Sequence, residues 1–246
     1  HKVKTANKTY YGKYIVDSRV SFKDHEIKSV FVKQAFVGHE IVVKQDIWNT
    51  NEVELMSFRQ NKNEVEFTYL LPFSSKNALI ETTVFSISPN LKNIVNKQQR
   101  LLRKYGAHRI KRKEKAIIPM AIISPDDQRG VLKIGTSAGM VRASSGYSMR
   151  RIANWILELK VREINDKNLV TYKYKPNYFL NWLDKIFLNV IYNYPEKGPY
   201  LFMMLFRKAN TSSLIRFLSD DASKLDLINI LLSMPKILML KGFFKK

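Results

Sequence analysis

The sequence predicts an α+β fold built around a mixed or antiparallel β-sheet, and three observations carry that expectation. Residues 9–70 and 77–87 hold short or alternating runs rich in Val, Ile, Phe and Tyr, separated by Asn-rich breaks. Residues 177–246 carry helical patterning instead. Hydrophobic residues make up 45% of the 246 positions, enough for a sizeable core and against disorder as the main state.

In chain order, strands are expected at KYIVDSRV (13–20), KSVFVKQAFVGHEIVV (28–43), VELMSFRQ (53–60), EVEFTYLLPF (64–73) and NALIETTVFSI (77–87). The breaks TNEVE and QNKNE supply turns between them. Ser88, Pro89 and Asn90 then lead into a polar helix, LKNIVNKQQRLLRKYG, which Gly106 would cap. KAIIPMAII (115–123) and VLKIG (131–135) follow as strands around a PDDQRG turn. From Tyr147 the pattern is helical, with Ile152, Trp155, Ile156 and Leu159 on one apolar face. A polar break at 165–168 and an extended TYKYK at 171–175 precede the helical tail. Its last stretch is interrupted at Pro235 and ends in FFKK, too short and broken for a membrane span of about 20 residues. A basic, aromatic end of this kind suits a membrane interface.

Composition excludes some chemistry. There is no cysteine, hence no disulfide and no thiolate nucleophile or ligand, and the four histidines have no metal-binding spacing, so no metal is expected. The net charge of +21 attracts polyanions such as an anionic membrane face. The richness in Lys, Asn and Ile can also reflect codon composition, and both origins stay open. No Arg-dense helix face, RNP-like motif or zinc module is present, so nucleic acid is not expected as a partner. The chain begins with His and its opening lacks the apolar core of a signal peptide, so a preceding N-terminal portion is expected.

Residues 134–152, IGTSAGMVRASSGYSMRRI, feed an apolar run through small residues into a helix start. That arrangement brings backbone N–H groups close to a phosphate or flat cofactor, or simply packs strand on helix. Ser137 and Ser144 have no nucleophile elbow around them. Glu81 follows Leu79 and Ile80 in an apolar strand; against apolar walls its carboxyl would stay protonated as a general acid, while a solvent-facing orientation is the alternative. Asp126 and Asp127 read as turn formers, and Asp220 and Asp221 as helix termination and capping. Phe67, Tyr69 and Phe73 line either a pocket for an apolar ligand or the core.

Taken in order, QAFVGHEI (34–41), LMSFRQ (55–60), FTYLLPFSSKNALIETTVFS (67–86), AIIPM (116–120) and KIGTSAGMVRASSGYSMRRI (133–152) resemble the bacterial lycopene β-cyclase family, flavoproteins of carotenoid biosynthesis. Segments of the tail, such as FLNWLDKIFLNVI and GPYLFMMLFRKA, are similar to the family's C-terminal region. The resemblance implies part of a Rossmann-type flavoprotein fold. Residues 1–30 would be the remnant of the FAD domain and 31–130 a β-sheet substrate region. Residues 131–165 would form the second FAD-contacting segment, and 176–246 a helical region that can associate with membrane.

It further implies proton-initiated cyclisation of lycopene or a related acyclic carotenoid through a carbocation, redox-neutral, with reduced FAD as cofactor and NAD(P)H as its reductant. Glu81 would be the catalytic acid, and Gly135, Thr136, Ala138, Gly139 and Met140 would contact FAD. Phe67, Tyr69, Phe73 and Tyr147 would contact the substrate. The expected location is cytoplasmic, peripheral on the inner face of the membrane. One departure stands out: Ser57 lies where many members carry Asp, with Glu54 nearby as an acid. The activity of a chain without a dinucleotide-binding beginning stays open. So do two other readings, a different FAD-dependent oxidoreductase (a prenyl reductase or monooxygenase-like protein) and a non-catalytic basic membrane-associating fragment.

Overall fold

A computed structural model describes residues 1–161 and 173–245 of the chain. The break expected at 165–168, the end of the 131–165 segment and the start of TYKYK lie outside the described residues. Along the chain run β1 (Lys2–Lys4), β2 (Thr9–Tyr11), β3 (Ile15–Asp17), β4 (Val32–Val43), β5 (Glu54–Arg59), β6 (Val65–Ser74), β7 (Asn77–Ser86), α1 (Leu91–Leu102), β8 (His108–Met120) and β9 (Val131–Lys133). After these come α2 (Met149–Val161), α3 (Tyr178–Asn193), α4 (Gly198–Lys208), α5 (Thr211–Leu218), α6 (Lys224–Ser233) and α7 (Lys236–Phe244). The fold is α+β. Its contacts divide into two units: His1–Val30, Met120–Leu188 and Ala209–Leu232 in one, Phe31–Pro119, Asn189–Lys208 and Ser233–Lys246 in the other.

In the second unit a five-stranded sheet has the order β5-β6-β7-β4-β8. β6 and β7 form a hairpin, and β4 returns antiparallel to β7 with Ala35 opposite Val84 and Gly38 opposite Glu81. Alternation then assigns the faces. Ala35, Val37, Ile41, Val43, Ile80 and Val84 turn to one side, where Ile94, Leu101 and Leu102 of α1 cover them. Asn90 starts that helix by accepting from the Asn93 N–H. Buried between helix and sheet, Gln98 accepts from Thr82 Oγ1 at 2.7 Å and donates to the Ile80 carbonyl at 2.8 Å. On the other face Phe58 and Phe85 meet Phe202 of α4, and Phe67 packs against both of them. α4 begins so close to β6 that a Cβ on Gly198 would lie 2.3 Å from Val65.

The first unit holds the β1–β2 hairpin and a short parallel pair, β3 with β9, Val16 opposite Leu132. Leu132, Ala138, Met140 and Trp155 form a core cluster beneath α2.

Three expectations are corrected. The strand expected over 13–20 is only Ile15–Asp17, its sole ladder being the three-residue pairing with β9. β8 starts at His108 rather than 115, because its first half is an exposed edge whose Arg and Lys residues show no apolar alternation. α2 starts at Met149, two residues after Tyr147, beyond Gly146 at φ +73. Pro235 does divide the last stretch, into α6 and α7.

Candidate functional site

The sequence-derived candidates fall into both units: Glu81, Phe67, Tyr69 and Phe73 in the second, and Gly135, Thr136, Ala138, Gly139, Met140 and Tyr147 in the first.

Glu81 stands on the central strand β7, with Tyr69 directly opposite on β6 and Gly38 directly opposite on β4. The three therefore share one face. That face is the one not covered by α1, and Glu81 is half-buried there. Its carboxyl accepts from Thr83 Oγ1 at 2.6 Å. Burial pushes it up to about 7; the Thr83 hydrogen bond opposes the rise and the charge of Glu114 adds to it. A carboxyl at that level carries its proton near neutral pH, as a general acid requires.

Glu114 and Gly38 are functional candidates that sequence reasoning missed. A Cβ on Gly38 would lie 2.9 Å from both Cγ and Oε1 of Glu114, so the Glu114 side chain fills the place that a residue with a side chain would occupy. The available signal was the one acid in the basic run from Arg109 to Lys115, together with a lone glycine inside an apolar strand.

The aromatic candidates separate. Phe67 is fully buried among Phe58, Tyr69 and Phe85, with ring centroids 5.7, 5.2 and 5.2 Å away, and has no surface left for a ligand. It is core, because its place opposite Thr83 turns it under α4. Tyr69 is half-buried beside Glu81, whereas Phe73 sits at the irregular end of β6 and is exposed. Tyr147 is exposed in the other unit. Ser57 pairs with Thr68 and Glu54 with Leu70, which places both on the α1 face, the side away from Glu81.

In the first unit, residues 135–138 form a 3₁₀ turn between two left-handed glycines, Gly135 at φ +66 and Gly139 at φ +73. Only glycine holds such angles without strain. Gly139 is pressed on the next segment: a Cβ there would lie 2.4 Å from the Ile123 carbonyl oxygen. Gly135 is the opposite case, with no atom within 4 Å of where its Cβ would be. The outer side of the turn is thus open to a flat ring approaching backbone, and the residues present fit a flavin. Ala138 and Met140 bury their side chains in the core with Leu132 and Trp155, so any contact they make is through backbone. Gly135 N–H donates to Met140 Sδ at 3.3 Å and Met140 N–H to the Gly135 carbonyl at 3.1 Å, closing the turn on itself.

The segment after this turn is fixed by charges that the sequence did not disclose. Arg142 is fully buried; its Nε and Nη2 donate to Asp184 Oδ1 at 3.3 Å, its Nη1 donates to the Phe217 carbonyl, and it stacks 4.0 Å from the Phe217 ring. Ser144 Oγ donates to the same Asp184 oxygen at 2.7 Å. Asp220 ends α5 as expected, at φ +57 with its N–H on the Phe217 carbonyl, and its carboxylate also takes a bidentate pair from Arg151 and lies 3.5 Å from Arg142 Nη1. Among the described residues no cluster of His, Asp and Glu could hold a metal ion.

Comparison with known proteins places these features in a family. The sequence model of the lycopene cyclase protein family matches residues 2–242. The chain belongs to the lycopene cyclase family. It is 35% identical over 97 residues to a chloroplast lycopene beta cyclase of an Oncidium hybrid cultivar, a stretch that is 38% of this chain and 21% of that protein. With the chloroplast lycopene beta cyclase of Arabidopsis thaliana it shares 33% identity over 96 residues, 37% of this chain and 19% of the relative. Among solved structures, it is similar to MibH, a tryptophan 5-halogenase, with a TM-score of 0.46 at 13% identity over 96% of this chain and 52% of that one.

Proposed function

We propose that the chain acts as a lycopene β-cyclase, converting a ψ end of lycopene or a related acyclic carotenoid into a β ring with Glu81 as the proton donor. The observation that supports this above all is the carboxyl of Glu81, half-buried, given a hydrogen bond by Thr83 and pushed up to about 7 by burial. In the proposed step the Glu81 proton adds to the terminal double bond of the ψ end. A second double bond of the substrate supplies the electron pair that closes the ring. The C–H bond on the carbon next to the cation then breaks, its electron pair forming the ring double bond and its proton returning to the Glu81 carboxylate, so that atoms and electrons are conserved.

The turn at Gly135, Thr136, Ala138, Gly139 and Met140 would hold FAD against its open side. When bound and reduced, with NAD(P)H as the source of its electrons, the flavin supplies negative charge against a developing cation. Tyr69, beside Glu81, would face the substrate chain.

The partner we propose is a membrane surface, on its cytoplasmic side. Supporting it is α7, whose Ile237, Leu240, Phe243 and Phe244 are all at least half exposed, with Lys236, Lys241 and Lys245 among them. Exposed apolar side chains interspersed with lysines on one short helix suit the interface of a membrane. Asn189 Nδ2 fastens it from within by donating to the carbonyls of Gly242 and Lys245. Among the described residues no single helix is long and apolar enough to cross a membrane.

The test is an anaerobic lycopene assay with reduced FAD, on a longer version of the protein. Glu81→Gln is expected to lower β-ring formation by about 10²–10⁴-fold while flavin binding survives. Wild-type turnover by that variant would remove Glu81 from the mechanism. NAD(P)H consumed in proportion to product would instead point to an oxidoreductase.

A further inference from the structure

A second carboxylate lies in the Glu81 row. Because Gly38 stands directly opposite Glu81, any side chain at 38 would rise from the sheet on the same face, beside Glu81. Glu114 of β8 takes that place, its Oε1 2.9 Å from the position of the missing Cβ. The other oxygen, Oε2, lies 3.0 Å from Arg112 Nη1 in an ion pair, and Arg112 Nε lies 3.5 Å from Glu40 Oε2. Glu40 in turn accepts from Lys111 Nζ at 2.7 Å and Asn77 Nδ2 at 3.0 Å.

The groups facing Glu81 are therefore Tyr69 on β6, Thr83 on its own strand, Glu40 on β4, and Glu114 with Arg112 on β8. Every cation in this set is bound to Glu40 or Glu114. Among the described residues, Glu81 takes its hydrogen bond from the Thr83 hydroxyl alone. Two neighbouring carboxylates do not both ionise freely, and the one with a cation wins the charge.

We propose that Glu114 is a positioning residue for the Glu81 acid: laid over Gly38 and paired with Arg112, its carboxylate stands beside Glu81 and holds the proton there until the substrate takes it. The same charge favours return of a proton to Glu81 after each turnover. Gly38 is part of the device, since a side chain there would displace the Glu114 carboxylate. This assignment rests on the role proposed above for Glu81.

The experiment follows glutamate carboxyls directly, by ¹³C NMR of the full chain labelled at Glu Cδ and titrated from about pH 4 to 9. Wild type is expected to show one glutamate with its midpoint near 7, and that resonance should vanish in Glu81→Gln. In Glu114→Gln the same midpoint is expected to fall by about half a unit to one unit. Glu114→Asp retains the charge and is expected to fall less, and it serves if the glutamine variant does not fold. A Glu81 midpoint unmoved in both variants overturns the proposal, leaving Glu114 as a plain ion-pair partner of Arg112. Should no glutamate titrate near 7 in wild type, the Glu81 reading itself fails, and this one with it.

Discussion

Two glutamates, one in each unit, are treated in opposite ways. Glu26 is fully buried and yet its carboxyl is held at about 2. Burial acts to raise it, but Lys133 Nζ at 2.7 Å and the N–H groups of Asp126 at 2.7 Å and Lys23 at 2.6 Å together outweigh burial. Glu81 is less deeply placed, with one donor, and sits at about 7. Depth alone would rank the two the other way. What separates the two carboxyls is the number of donors around each. Glu26 joins the chain near 23–26 to the segment around 126 and to β9, whereas Glu81, among the described residues, takes a hydrogen bond from Thr83 of its own strand alone.

The largest effect is expected from taking away the cation at Glu26. Lys133→Met leaves a buried carboxylate with backbone donors alone, and breaking such a pair costs about 3–5 kcal/mol. Urea unfolding at pH 7 reads it; a loss below about 1 kcal/mol would show that the backbone N–H groups suffice. The sign with pH follows from the lowered carboxyl. The Glu26 contribution is present above the ordinary glutamate value of 4.5 and is lost as pH falls toward 2.

Glu81 should behave in reverse. Its folded value of about 7 lies above 4.5, so ionising it costs stability as pH rises through that window, and below 4.5 there is no cost. Glu81→Gln removes the cost. The variant is expected to be more stable than wild type by about 2 kcal/mol at pH 8.5 and equal to it at pH 4. Equal gains at both pH values would trace the effect to packing and erase the contrast with Glu26.

How much of this was legible in the sequence depends on whether the signal was local. β4, β6 and β7 were legible because they are central strands whose apolar residues announce themselves. β8 was half missed, since an edge strand made of Arg and Lys has no reason to alternate. Glu81 was named through family resemblance; strand alternation by itself left its direction open, because the facing of a strand residue depends on which strands pair with it and in what register. Gly38 and Glu114 needed the sheet order, which brings β4 between β7 and β8 across long stretches of chain. The pairing of Arg142 with Asp184 was likewise invisible, as was the true partner of Asp220: each contact joins segments with no shared pattern. Ser57 shows the converse limit, since a residue singled out for its motif position lies on the face of the sheet away from Glu81.

The finest test of the comparison is the one donor that Glu81 does have. Thr83 is fully buried and gives its hydroxyl proton to Glu81 Oε1 at 2.6 Å, an interaction that favours the ionised carboxyl. Thr83→Val keeps the shape of the side chain and removes the donor, moving Glu81 further from Glu26 in kind. Its midpoint is expected to rise by about half a unit, opposite in sign to Glu114→Gln. The same ¹³C titration measures both, and the two shifts should add only in part, because the groups act on one carboxyl. A fall in Thr83→Val would mean that the hydroxyl accepts from a protonated Glu81 rather than donating to it. Donor count would then have to be replaced by hydrogen-bond direction as the property that distinguishes the two glutamates.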